Sequence, residues 1–312
     1  MRLTWNGCIR AALFALIPVT VTACGGGTTA PPPPPPGPNT SLTDLVSNET
    51  FPTISAVMAA DLNSSGVTSN VSSNLTTLSS TSTIEYDAVA NAFKLSINNG
   101  AANFTQEFTS AEVSAADSNT SYRTYSLTRP DNTIDEFVLF IPGEPTQNLS
   151  YVTFGTWNSP NGSANNITLG TFVFGVRTSQ STIPTTGSAT YTGITAGTLN
   201  EGNTLYNVAG DMSMAVNFGT GAVNGAFSNM GREDLQTGDV SIWRDFTTTG
   251  TINSSTGLFS GTATTNDTAL TGTFNGGFFG PVSSGSPPEI GGGWSLSGPG
   301  NEQAVGGFVG KR

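Results

Sequence analysis

Two clusters of carboxylates and one cysteine are the side chains of this sequence with chemistry in them. Asp131, Asp135 and Glu136 stand beside Arg129, and Gly231-Arg232-Glu233-Asp234 is followed by Asp239, Arg244 and Asp245. Carboxylates in pairs hydrolyse glycosides when they face each other across a sugar at a defined separation. Here the first cluster reads as a polar loop and the second as a solvated turn running into the edge of a strand. Neither has the spacing of a calcium loop. Gly276-Gly277 and Gly291-Gly292-Gly293 open no helix, so they are not phosphate loops. Histidine is absent, which removes the commonest general base and every His-dependent triad. The sequence therefore predicts no catalytic residue, no cofactor and no metal site: a binding protein, not an enzyme.

Of the two cysteines, Cys8 lies in the leader and the one with chemistry is Cys24. Arg2 and Arg10 precede the apolar run Ala11–Ile17, and Val21-Thr22-Ala23 is a small-residue junction directly before it. Residues 1–23 are thus a secretory signal, too short in its apolar part to span a membrane. The junction resembles a bacterial lipobox, which makes Cys24 the predicted lipidation site and new amino terminus; ordinary cleavage near Ala23, leaving a free thiol, is the alternative. Acyl chains there anchor by burial, at about 0.8 kcal/mol per methylene. Gly25 follows where an inner-membrane retention signal would have Asp, so the expected address is the outer membrane, lipid-anchored and cell-surface. Residues 24–40 continue as a tether, glycines first and then the polyproline rod Pro31–Pro36.

Removing the leader takes Arg2 and Arg10 from 10 basic side chains, leaving 8 against 21 acidic ones, a net charge of −13. A polyanion repels phosphate backbones, so nucleic acid is not a partner. The same charge suits a basic partner, or simply solubility. Only 10% of residues are charged and 38 are glycine, a composition that favours a β-rich extracytoplasmic protein.

Strand-like periodicity runs through the chain. In residues 41–182 it falls at Thr83–Tyr86, Ala92–Ile97, Asn103–Phe108, Tyr122–Leu127 and Glu136–Phe140, with Tyr151–Trp157 and Thr171–Gly175 as lead-in strands outside the barrel or linking to it. Leu42, Leu45 and Val46 fit one helical turn, limited by Pro52, and Ala60–Thr83 reads as loop or exposed sheet edge. Residues 183–312 hold eight further strands, near Ser188–Thr195, Asn207–Phe218, Ala222–Ser228, Asp239–Thr248, Leu258–Thr264, Leu270–Phe279, Ile290–Ser297 and Ala304–Val309. Eight antiparallel strands with Gly beside aromatics read as a small closed barrel filled by its own side chains. Met212, Met214, Val216 and Phe218 share one face, a core stripe or the lining of a groove. A membrane-embedded barrel is excluded, because the second parity of the strands is mostly Thr, Ser and Asn where an outward apolar band would be needed.

The runs GTFNGGFFGP, PEIGGGWSLSG and AVGGFVGKR, preceded by IPTTGSATYTGITAG and MSMAVNFGTGAVNGAF, resemble a lobe of the transferrin-binding-protein-like surface lipoproteins of Gram-negative bacteria. YVTFGTW resembles the lead-in of such proteins, and Tyr86-Asp87-Ala88 with Phe93-Lys94-Leu95 is similar to the small β handle that precedes the barrel. The resemblance implies an all-β chain, a handle-like β domain followed by an eight-stranded antiparallel β-barrel. It also implies a receptor component that captures an iron- or haem-carrying protein, or another ligand, for an outer-membrane transporter or translocator. A structural or adhesive surface lipoprotein and, further off, a carbohydrate-active hydrolase are the alternatives. The family's contacts lie in variable loops, so no ligand-binding residue carries over. The long polar loops Asn229–Asp239 and Pro281–Pro288 are the expected contacts, and for haem Tyr191, Tyr206 or a methionine would have to serve as ligand.

Overall fold

The computed structural model describes residues 38–160 and 166–312. Cys24 lies outside the described residues, as do the leader and the tether through Gly37. What is described is two antiparallel nine-stranded sheets packed face to face.

The first sheet contains β1 (Glu49–Leu62), β2 (Thr68–Leu75), β3 (Ser79–Asp87), β4 (Ala92–Asn98), β5 (Asn103–Phe108), β6 (Tyr122–Thr128), β7 (Ile134–Phe140), β8 (Val152–Pro160) and β9 (Asn166–Gly175). Its order is β5-β4-β3-β1-β9-β8-β7-β6, with β2 beside the second half of β1. The sheet curls until its two ends face each other, so that Phe108 of β5 stacks on Phe137 of β7 at 4.9 Å between centroids. Inside the curl lie Phe51, Phe104, Phe108, Tyr125, Trp157 and Phe172.

One expectation for this half fails outright. Residues 41–58 make no helical turn; most of them enter β1, and Pro52 is accommodated where the β1–β3 register shifts between Pro52 and Thr53. Proline within a sheet is confined to edges and such irregularities. Of the two readings of residues 60–83 the exposed sheet edge holds and the loop does not: they are the end of β1, the edge strand β2 and the start of β3. Their Ser/Thr/Asn composition hid a strand because one face of β2 is largely open to water. β1 itself escaped notice because both of its faces are covered. Phe51 and Val57 point into the curl, while Ile54, Ala56 and Met58 point at the barrel. A strand buried on both sides has no polar parity to reveal it.

The second sheet contains β10 (Ser188–Glu201), β11 (Thr204–Asn217), β12 (Ala222–Asp234), β13 (Val240–Ile242), β14 (Phe246–Asn253), β15 (Leu258–Thr265), β16 (Thr271–Phe279), β17 (Glu289–Ser297) and β18 (Gln303–Lys311). Eight of these close a barrel in meander order, β18 pairing back to β10; β13 is a short addition on β12. The expected fourth strand, Asp239–Thr248, is therefore divided. Val240–Ile242 is β13, the chain bends at Arg244 and Asp245, and the wall strand is β14.

Met212, Met214, Val216 and Phe218 are all buried in the barrel core with Phe227, Phe246, Phe274, Trp294 and Phe308. Ring centroids 4.3 Å apart for Phe227–Phe246 and 5.0 Å for Phe246–Trp294 show how these aromatics fill the interior. The room comes from glycine. Trp294 lies over Gly306 on the neighbouring strand, and Phe308 lies over Gly292, where a Cβ would collide with the ring. On β14 the outward residues Thr247, Thr249 and Thr251 are polar and mostly exposed, not a lipid-facing band.

Glycine also sets how the sheets dock. Gly291, Gly293 and Gly307 face outward from β17 and β18, and the space beyond each is taken by Val152, Leu75, Ile54 or Val173 of the first sheet. Polar ties border this contact, from Ser73 Oγ to Gln303 Oε1 at 2.6 Å and from Asn275 Nδ2 to the carbonyl of Thr76 at 3.1 Å.

Candidate ligand-binding end of the barrel

The barrel has two ends, and the described chain enters at one of them. Asn39 caps its own segment, its Oδ1 accepting from the N–H groups of Val46 and Ser47. The Leu42 N–H donates to the carbonyl of Ser150 at 2.7 Å. Ser150 in turn donates to Glu289 Oε1, while Tyr151 and Val152 donate to Oε2, each at 2.7–2.8 Å. Glu289 is 4% exposed. Burial raises its carboxyl above the ordinary glutamate value against the opposing pull of the three N–H donors and of Lys311. This carboxylate seats the first sheet on the entry end of the barrel, and no periodicity marks it in the sequence.

The loop Pro281–Pro288 is at the same end. Arg312 donates to the carbonyls of Ser283 and Ser284 and to Ser286 Oγ, and Tyr191 OH donates to the carbonyl of Pro287 at 2.9 Å. The Tyr191 phenol is fully buried, and burial pushes it up to about 12. It is a structural tie and no haem ligand. Tyr206 is likewise occupied, with the Arg232 guanidinium 4.7 Å above its ring.

Residues 229–239 are at the opposite end, so the two expected contact loops lie a barrel length apart. Most of this segment is strand: β12 runs through Asp234, and the turn itself is short, with Gly238 donating to the carbonyl of Asp234. Four further turns gather here. Asn63–Val67 of the first sheet is tied in by Gln236 Nε2 to the Gly66 carbonyl at 2.7 Å, and Thr68 donates to the carbonyl of Asn203. The turns 202–203, 266–270 and 298–302 complete the rim.

The charged cluster at this end is a solvated turn running into the edge strand β13, as expected, and its two arginines also enter a network with carboxylates from other turns. Arg244 contacts Glu201 at 2.9 Å, Asp267 at 2.8 Å and Glu302 at 2.6 Å, and Arg232 pairs with Glu201 from the other side. Asp267 is held down to about 2 by the Thr265 hydroxyl first, then by the Ala269 N–H and Arg244. Asp267, lowered and not raised, is not the raised-pKa acid that glycoside hydrolysis requires.

The Arg129 cluster is also not a loop. Asp135 is on β7, fully buried, 2.7 Å from Arg129 Nε; the same guanidinium holds Ser159 and the carbonyl of Pro160. Glu136 on the adjacent face is raised by burial and accepts from Asn158. Asp131 caps the turn through Thr133. Asp135 and Glu136 thus pin strands together. Among the described residues no cluster of three or more His, Cys, Asp or Glu could hold a metal ion.

Sequence reading missed the apolar feature of the rim. Val240 and Ile242 on β13 are 77% and 89% exposed. They share parity with Phe246, which is buried, so a single unbroken strand over 239–248 would put all three on one face. The bend at Arg244 and Asp245 breaks the phase, so Trp243 enters the core and the two preceding apolar residues stay outside.

Residues 183–312 match the family described as C-lobe and N-lobe beta barrels of Tf-binding protein B. Transferrin-binding protein B of Haemophilus influenzae is 31% identical over 177 residues, which is 49% of this chain and 26% of that protein, so the match spans about a quarter of the relative's length. Among solved structures, a double mutant of transferrin-binding protein B from Haemophilus parasuis Hp5 has a TM-score of 0.43 at 14% identity, covering 85% of this chain and 76% of that one. The receptor HpuA of Kingella denitrificans in complex with human haemoglobin has a TM-score of 0.39 at 17% identity, covering 88% and 91%.

Proposed function

Residues 183–312 form a barrel of the transferrin-binding protein B type, and from that premise we propose that the chain is a lipid-anchored receptor component of the outer membrane that captures a protein ligand. One observation carries the reading: the described chain enters at one end of the barrel, and the rim with exposed Val240 and Ile242 is at the other. A tether attached through Cys24 would hold the entry end toward the membrane and leave the far rim free. Loops on a rigid β scaffold are where binding residues concentrate. The curated relative is named for binding transferrin, so an iron- or haem-carrying protein is the proposed ligand, delivered to a transporter in the same membrane.

Palmitate-analogue labelling is expected to tag the wild type and not Cys24→Ala; equal labelling would remove the anchor from the proposal. Capture is tested by retaining proteins from serum or spent medium on immobilised residues 39–312, at low and high salt. A specific protein should be held, less tightly as salt rises, because the acidic surface favours a basic partner. If nothing is held, and cells lacking the gene grow normally on every protein-bound iron source tried, a structural or adhesive role replaces capture.

A further inference from the structure

β13 is paired on one side only. Its register with β12 is Gly231↔Ile242, Arg232↔Ser241 and Glu233↔Val240. The flanking bonds run from the N–H of Trp243 to the carbonyl of Met230 at 2.8 Å and from the N–H of Asp234 to the carbonyl of Asp239 at 3.0 Å. In an antiparallel ladder, backbone groups alternate between the partner and the far side. Asp239, Ser241 and Trp243 therefore turn toward β12, and the N–H and C=O of Val240 and Ile242 point away from it.

The neighbour that would cover them stops short. β15 pairs Thr265 with Phe246 and ends there, and the N–H of Asn266 goes to the carbonyl of Asp245. Beside Val240–Ile242 lies a groove whose other lining includes Asn266 and Asp267. Proteins normally guard such an edge with a charge or proline in the strand, or with a covering element. Val240-Ser241-Ile242 has neither guard within it. Trp243 and Met230 also line this groove, and the buried Trp243 indole N–H has no partner among the described residues.

Charge selects what can fill the groove. Glu233, Asp234, Asp239 and Asp245 lie on or next to the ribbon in sequence, while Arg232 and Arg244 are already engaged by Glu201, Asp267 and Glu302. A second copy of this chain would bring the same acids against these, at a cost in like-charge repulsion. An extended segment that alternates apolar residues with Lys or Arg meets neither objection.

We propose that β13 is a docking edge for such a segment of another protein, which adds to the sheet as a further strand beside Val240–Ile242. Main-chain bonds to the outward N–H and C=O groups would give affinity, and the side-chain pattern would give selectivity. This rests on the capture reading for the nature of the partner and adds the mode of binding.

The test uses the full chain, released from membranes in mild detergent, and a labelled, end-blocked heptapeptide Lys-Val-Lys-Val-Lys-Val-Lys, followed by anisotropy. The peptide should bind, and its glutamate counterpart and a version N-methylated at alternate amides should be weaker by about tenfold or more, the worth of one or two main-chain hydrogen bonds. Ile242→Pro removes one outward N–H without touching the ladder to β12, and should weaken binding similarly. Ile242→Lys, which keeps the backbone whole, should do so through charge and lost apolar contact.

Absence of peptide binding overturns the proposal, as does equal binding by the N-methylated peptide or by Ile242→Pro. Self-association of the wild type that Ile242→Pro abolishes would replace it with a second copy. A protein captured from serum equally by wild type and Ile242→Pro would leave capture standing and strand addition refuted.

Discussion

At the scale of single residues, the buried carboxylates are the points where charge decides stability. Glu289 has an ordinary value of 4.5, and burial raises it. A raised carboxyl keeps its proton in the folded state at a pH where the unfolded chain has lost it. Its contribution is thus complete in acid, below about 4.5, and fades as pH climbs through the raised value. Glutamine has no proton to lose and offers one acceptor oxygen to three N–H donors, so one stranded donor costs about 1–3 kcal/mol. Thermal unfolding should show Glu289→Gln least stable relative to wild type in acid, with the deficit narrowing as pH rises; a constant deficit would refute this role. Asp135 is the second such point. Arg129→Met strands its fully buried carboxylate, and breaking a buried pair from one side costs about 3–5 kcal/mol. Denaturant titration checks it, and a loss under 1 kcal/mol would mean that water reaches Asp135. Neither role is legible in the sequence, where both residues sit among ordinary polar neighbours and nothing local says what covers them.

At the scale of elements, the sequence speaks clearly wherever one face of a strand is wet. Met212–Phe218 shows its parity, and the aromatic-beside-glycine pattern of β16, β17 and β18 announces a closed barrel. The pairing behind that pattern is cross-strand. Trp294 covers Gly306, and its indole N–H donates to Thr195 Oγ1 at 2.8 Å. Trp294→Ala is expected to cost about 3–5 kcal/mol, read from urea unfolding of the isolated barrel 183–312. A loss below 1.5 kcal/mol would mean that the ring does not hold the closing strands. Legibility fails at β1, which is covered on both faces and lacks the aromatic-beside-glycine pattern that marks the equally covered β17 and β18, and at bends such as Arg244-Asp245, where the phase of the pattern changes without a proline or glycine to mark it.

At the scale of the whole molecule, the sheets meet through small residues. Gly293 faces Ile54 and Leu75, and a leucine there has nowhere to go except into the first sheet. Gly293→Leu should destabilise the full chain by about 1–3 kcal/mol and speed proteolysis of residues 38–182. The same change in the isolated barrel 183–312 should have little effect. Equal destabilisation in both would show that the glycine serves the barrel and not the docking. Sequence reading recovers two β units but not this contact, because its signal is three glycines on the outward parity of strands whose inward parity already accounts for glycine.

The place of β18 fixes an order of assembly. It is the last of the eight barrel strands along the chain, yet it lies between β10 and β17 and joins Thr192 to Lys311 and Asn200 to Gln303. Until it has emerged from the ribosome, and again from any pore it is threaded through, β10 and β17 are open edges and the docking wall for the first sheet is half missing. Neither unit can reach its final packing early, and pairings this distant in sequence form slowly. The barrel therefore closes in one late step, and until then its two open edges are templates for pairing with another chain.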